Sequence, residues 1–110
     1  MIHAAIYENK KKECTGFKLS GHAEYAEYGQ DVVCAAVSVL VINTINAIEC
    51  FTDDSFSLSS KEDSGTISCQ FKDTPLQETQ LLLRTMILGL SNMADDENYA
   101  EYIDLTFEEV

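Results

Sequence analysis

The chain has 110 residues, enough for one domain and one core, and it is read as a single domain over 1–110. Apolar residues make up 45% of it, and 19 acids against 7 bases give a net charge of −12. Such a field repels nucleic acid and anionic membranes and attracts basic proteins or peptides, or else serves solubility alone.

The start, Met1-Ile2-His3-Ala4-Ala5-Ile6, lacks the ordered regions of a secretory signal. The longest apolar stretch, Val32 to Ile42, is interrupted by Ser38 and is expected to be too short to span a bilayer. Both readings place the protein in the cytoplasm with no membrane partner. Cys14, Cys34, Cys50 and Cys69 contain no C-x-x-C pair, and His3 and His22 fall at no metal-ligand spacing with them. Neither a metal nor another cofactor is expected, and a reducing compartment implies four thiols rather than a disulfide framework.

In chain order, Ile2 to Glu8 alternates in part and reads as a strand, with His3 on the face opposite Ile2, Ala4 and Ile6. A polar turn leads to a second strand, Cys14 to Ser20, which closes a hairpin. Gly21 to Gln30 carries two glycines and no stable period, and is expected to be a loop, long for so small a domain. Asp31 to about Phe51 is the strongest helix signal. Asp31 is its expected N-cap, and the residues that follow are apolar almost all round, as in a helix covered on most sides. Ser55–Ser60 and Thr66–Lys72 alternate about a turn at 61–65 and predict a second hairpin. Thr74-Pro75-Leu76-Gln77 reads as a capped helix start, with Thr74 as N-cap and Gln77 closing a capping box. Leu82, Leu83, Met86, Ile87, Leu90 and Met93 follow at helical spacing, a stripe expected to be core. The helix gives out over 95–98, and Tyr102 to Phe107 forms a last strand. The order β-β-α-β-β-α-β predicts an α/β (α+β) domain: an antiparallel or mixed sheet packed by a central apolar helix and a second, amphipathic one.

With Asp31 as cap, Cys34 falls at the third helical position, among the free N–H groups and the positive end of the helix dipole. That environment favours thiolate, the nucleophilic form of cysteine. No other cysteine is so placed: Cys14 starts a strand, Cys50 is near a helix end and Cys69 is mid-strand. A nucleophile also needs a base within hydrogen-bond reach. His22 lies in the loop leading into the helix, and Gly21 and Gly29 give that loop freedom to fold back over Cys34. The ordinary readings stand beside this one. A loop histidine is usually a solvated surface residue, and a cysteine in an apolar helix is usually core. Asp31 caps the helix or also orients the histidine. Ser38, one turn after Cys34, donates to the thiolate or to the carbonyl four residues back.

The run from Gly21 to Leu40, GHAEYAEYGQDVVCAAVSVL, resembles the signature of the bacterial ribosomal-processing cysteine protease family (Prp, the YsxB-like proteins). The shared pattern is Gly-His-Ala, then Gly-x-Asp-Ile/Val-Val-Cys-Ala, then a serine one turn on, with no departure in this chain. The resemblance implies a small α/β homodimer. It implies removal of a short N-terminal extension from the precursor of large-subunit ribosomal protein number twenty-seven, by cleavage after an aromatic residue. It puts the nucleophile on Cys34, the general acid/base on His22, and the accompanying aspartate, serine and first glycine on Asp31, Ser38 and Gly21. Tyr25 and Tyr28 then either help bind the apolar cleavage sequence or anchor the loop. The acidic surface suits a lysine-rich ribosomal precursor as partner. Two other readings remain: a non-catalytic, acidic ribosome-associated binding protein with Cys34 buried, and a structural dimer whose apolar helix serves packing alone.

Overall fold

The computed structural model describes residues 1–21, 28–61 and 65–110, with the backbone alone for 28–31. Period-two alternation gives the strands β1 (Ile2–Glu8), β2 (Cys14–Ser20), β3 (Phe56–Lys61), β4 (Thr66–Phe71) and β5 (Ile103–Glu109). Two helices, α1 (Tyr28–Phe51) and α2 (Gln77–Asp95), complete the order β-β-α-β-β-α-β. The strands form one mixed sheet, β3-β4-β2-β1-β5. The β1–β5 pair is parallel, while β1–β2, β2–β4 and β3–β4 are antiparallel.

One sheet face carries the apolar set Ile2, Ala4, Ile6, Phe17, Leu19 and Cys69, all buried. Against it α1 lays Val33, Val37, Val41, Ile45 and Ile48, and α2 lays Leu83, Met86 and Leu90. Burying a side chain of this size stabilises the fold by roughly 1.5–3 kcal/mol. The expected α2 stripe is therefore core, with Leu82, Ile87 and Met93 packed at its margin. Gly89 sets how closely the helices approach, because a Cβ there would stand 2.7 Å from Leu40 Cδ2. His3 lies on the other, uncovered face, as its strand parity required. Its Nδ1 is 2.9 Å from Asp104 Oδ2 on the neighbouring strand.

Four expectations need correction. Helix α1 begins at Tyr28, so Asp31 lies within it and is not its N-cap. Gly29 and Gln30 do not interrupt the helix, since one glycine costs only about 1 kcal/mol in a helix that is held by packing. Second, α1 is covered on one side only. Val39 is 70%, Ile42 49% and Val32 41% exposed, an apolar stripe facing away from the sheet. Third, the segment Val32–Phe51 is long and apolar enough to cross a membrane, contrary to the expectation from Val32–Ile42. Its inward face is instead packed on the sheet. Fourth, α2 starts at Gln77 with Leu76 as cap residue and no side-chain cap bond. The Leu76 N–H donates to Asp54 Oδ2 (3.1 Å), a tertiary contact that the local sequence could not reveal. The bounds of β3 and β5 run one and two residues further than expected.

Candidate active site

At the N-terminal end of α1 a cavity of about 200 Å3 opens between the helix, the end of β2 and the Lys61–Thr66 end of the β3–β4 hairpin. Its floor is apolar, made by Ile2, Leu19, Val37, Val41 and Ile67, and its rim carries Cys34, Ser38, Ser60, Lys61 and Thr66. Cys34 is half-buried on this wall, and Ser38, one turn later on the same flank of α1, is exposed. A sulfur facing an apolar recess that admits a side chain is placed to attack a carbonyl whose neighbouring group fills the recess.

The other cysteines lack this setting. Cys69 is sealed in the core, and Cys14 is buried beneath a separate groove lined by Glu13, Leu76 and Gln80. Burial pushes the Cys69 thiol up to about 12, with a smaller contribution from the neighbouring Cys14. Burial also raises Cys14, although its Sγ–H donates to the Gly16 carbonyl at 3.4 Å. Cys50 is exposed near the far end of α1. Thiols that cannot ionise at neutral pH are poor nucleophiles.

Gly21 closes β2 and lines the same cavity. Its φ of +96° is a conformation that side-chain-bearing residues rarely adopt, and a Cβ there would collide with the Met1 carbonyl oxygen. His22, the next residue, lies outside the described residues, as does Tyr25. The side chains of Asp31 and Tyr28 are likewise outside them. Of the two histidines His3 is on the opposite sheet face, engaged by Asp104.

The position of Cys34 differs from the expectation in one respect. It is the seventh residue of α1, not the third. Its N–H belongs to the intrahelical ladder, and the free donors lie one turn earlier. The helix dipole, which fades within the first turn, acts on it less than a first-turn position allows. The chain spacing also gave no sign that Ser60, Lys61, Gly65 and Thr66 reach the site. Only the sheet topology brings the Lys61–Thr66 end of their hairpin to the start of α1.

A family profile described as cysteine protease Prp matches residues 1–104. The chain belongs to the Prp family of cysteine proteases. It is a cysteine peptidase, and among its relatives is the ribosomal processing cysteine protease Prp of Staphylococcus aureus. The two are 33% identical over 107 residues, covering 97% of this chain and 99% of that one. Two solved structures of the S. aureus Prp superpose closely. One is in complex with a substrate peptide (TM-score 0.90, 30% identity, 98% of this chain and 100% of that one). The other carries a covalently linked product peptide (TM-score 0.86, 32% identity, the same coverage). The single-domain fold with a five-stranded mixed sheet and two helices is thus the fold of Prp structures.

Proposed function

We propose that this Prp-family peptidase removes a short N-terminal extension from the precursor of large-subunit ribosomal protein number twenty-seven. It cuts after an aromatic residue, with Cys34 as nucleophile and His22 as general acid/base. The observation that carries the reading is the setting of Cys34: of the four thiols it alone is part-exposed on the wall of a mainly apolar, side-chain-sized recess, whereas Cys14, which borders a second and more polar groove, is buried. The name of the S. aureus relative, a ribosomal processing protease, supports the substrate class. So does the net charge of −12, which complements a basic ribosomal protein.

The chemistry is acyl transfer. The Cys34 thiolate attacks the scissile carbonyl, forming a carbon–sulfur bond, and His22 delivers its proton to the leaving amine. Water, deprotonated by His22, then hydrolyses the thioester and restores the thiol. The aromatic side chain ahead of the scissile bond fills the recess over Val37, Val41 and Ile67. Because Cys34 sits a full turn inside α1, its activation rests on the imidazole more than on the helix dipole. Gly21, which precedes His22 in the sequence, shares the cavity wall with Cys34. With its capping role gone, the Asp31 carboxylate orients the imidazole. Ser38 donates toward the sulfur, and Tyr25 and Tyr28 contact the substrate.

The protein works in the cytoplasm as a homodimer. Val32, Val39 and Ile42, exposed in a line along α1, form the contact, because burying such a stripe is favourable. Incubation of the precursor with wild type, Cys34→Ala and His22→Ala tests the proposal. Cleavage is expected from the wild type alone. Cleavage that persists in Cys34→Ala, or a Cys34 that alkylates no faster than the other thiols, refutes it.

A further inference from the structure

Strand β3 is the end strand of the sheet, and among the described residues no strand pairs with its outer side. It runs from Phe56 to Lys61 in unbroken register with β4. Such an edge is a template for another chain unless it is blocked by charge, proline or a bulge. The opposite edge, β5, is blocked by Asp104, Glu108 and Glu109, whereas β3 reads Phe-Ser-Leu-Ser-Ser-Lys with its one charge at the very end. Leu58, at its middle, is 51% exposed.

The direction of the free backbone groups follows from the ladder. Lys72 N–H donates to the Ser55 carbonyl at 3.3 Å, directly across from it in this register. In an antiparallel pair, bonded and non-bonded positions alternate. Ser57, Ser59 and Lys61 therefore bond to β4, and the N–H and C=O groups of Phe56, Leu58 and Ser60 point outward. The strand ends at the cavity, where Ser60 and Lys61 share the rim with Cys34 and Ser38. Its other end opens on Glu49, Asp53 and Asp54. A strand rises about 3.3 Å per residue, so some four residues of extended peptide span the distance between those ends.

Resting on the protease reading above, we propose that the substrate peptide binds as a sixth strand on the free edge of β3. It pairs with Leu58 and Ser60, carries its scissile carbonyl to Cys34, and lays a cationic residue by Glu49, Asp53 and Asp54. Backbone pairing supplies affinity that any sequence can use, and the recess beside Cys34 supplies the selection.

Leu58→Pro tests this, since it deletes one outward N–H and puts a ring in the path of the added strand while leaving the β3–β4 bonds in place. The expected result is a fall of at least about tenfold in kcat/KM for the precursor peptide, with the rate of Cys34 alkylation by iodoacetamide unchanged. Independently of any variant, N-methylation of the peptide should slow cleavage at alternate backbone positions only. Amide hydrogen exchange on Cys34→Ala with bound peptide should show protection of Leu58 and Ser60. Normal turnover by Leu58→Pro, a methylation profile without alternation, or unprotected β3 amides overturn the strand proposal and leave the protease reading intact. Protection that appears without peptide and grows with protein concentration assigns the edge to a second copy and also overturns it. A wild type that neither binds nor cleaves the peptide overturns both.

Discussion

Gly21→Ala is the substitution whose cost the structure defines most closely. The residue sits at φ +96°, and its Cβ position is occupied by the Met1 carbonyl oxygen. Forcing a side chain into positive φ costs about 1–2 kcal/mol. The clash is with backbone, so it is relieved only by moving Met1, next to the bond that Ile2 N–H gives to the Tyr102 carbonyl at 2.8 Å. Losing a bond of that kind costs roughly 1 kcal/mol more. The sum, about 2–3 kcal/mol, corresponds to a drop in Tm of roughly 10–20 °C for a domain of this size. Urea unfolding followed by far-UV circular dichroism measures it, with the midpoint falling and the slope unchanged. Activity should fall further than stability, because the same glycine lines the cavity and precedes His22. Gly21→Asn separates the two costs: asparagine tolerates positive φ but keeps the Cβ, so it should recover only part of the loss. A Gly21→Ala protein with wild-type midpoint and wild-type cleavage would refute the reasoning.

Other outcomes follow from the same structure. Thr79 is fully buried in α2, and its hydroxyl has no hydrogen-bond partner among the described residues. Thr79→Val should therefore raise stability by about 1 kcal/mol, read as a higher urea midpoint. Cys14 and Cys69 should resist alkylation until the protein unfolds. Because burial raises the Cys69 thiol from its ordinary ~8.5 to about 12, the folded state holds that proton longer than the unfolded chain does. Its contribution to stability is intact below about pH 8.5 and is lost as pH rises toward 12, so Cys69→Ala should flatten the alkaline limb of a stability-versus-pH curve. Size-exclusion with light scattering should find a dimer at micromolar concentration, converted to monomer by Val39→Glu. A monomeric wild type contradicts the dimer.

Local rules carried most of the fold. Alternation placed the five strands to within two residues, and the parity of Ile2, Ala4 and Ile6 sent His3 to the open face where Asp104 holds it. They failed where tertiary contacts decide. Asp31 and Thr74 are good caps in isolation, yet α1 begins three residues before the first and Asp54 anchors the chain beyond the second. An all-round apolar helix is compatible with burial by its own chain or by a partner, and periodicity does not distinguish them. The run of residues around Cys34 singled out that thiol as the candidate, but the recess beside it was not readable, because Ser60, Lys61 and Thr66 reach it only through the β2–β4 pairing.

The central claim is that the sulfur at position 34 forms the covalent bond to the substrate. Acid quenching during turnover, followed by intact-mass measurement and peptide mapping, tests it most directly. The account predicts a thioester adduct confined to the peptide containing Cys34, absent from Cys34→Ala. An adduct on Cys50, or continued turnover by Cys34→Ala with no adduct at all, would contradict it.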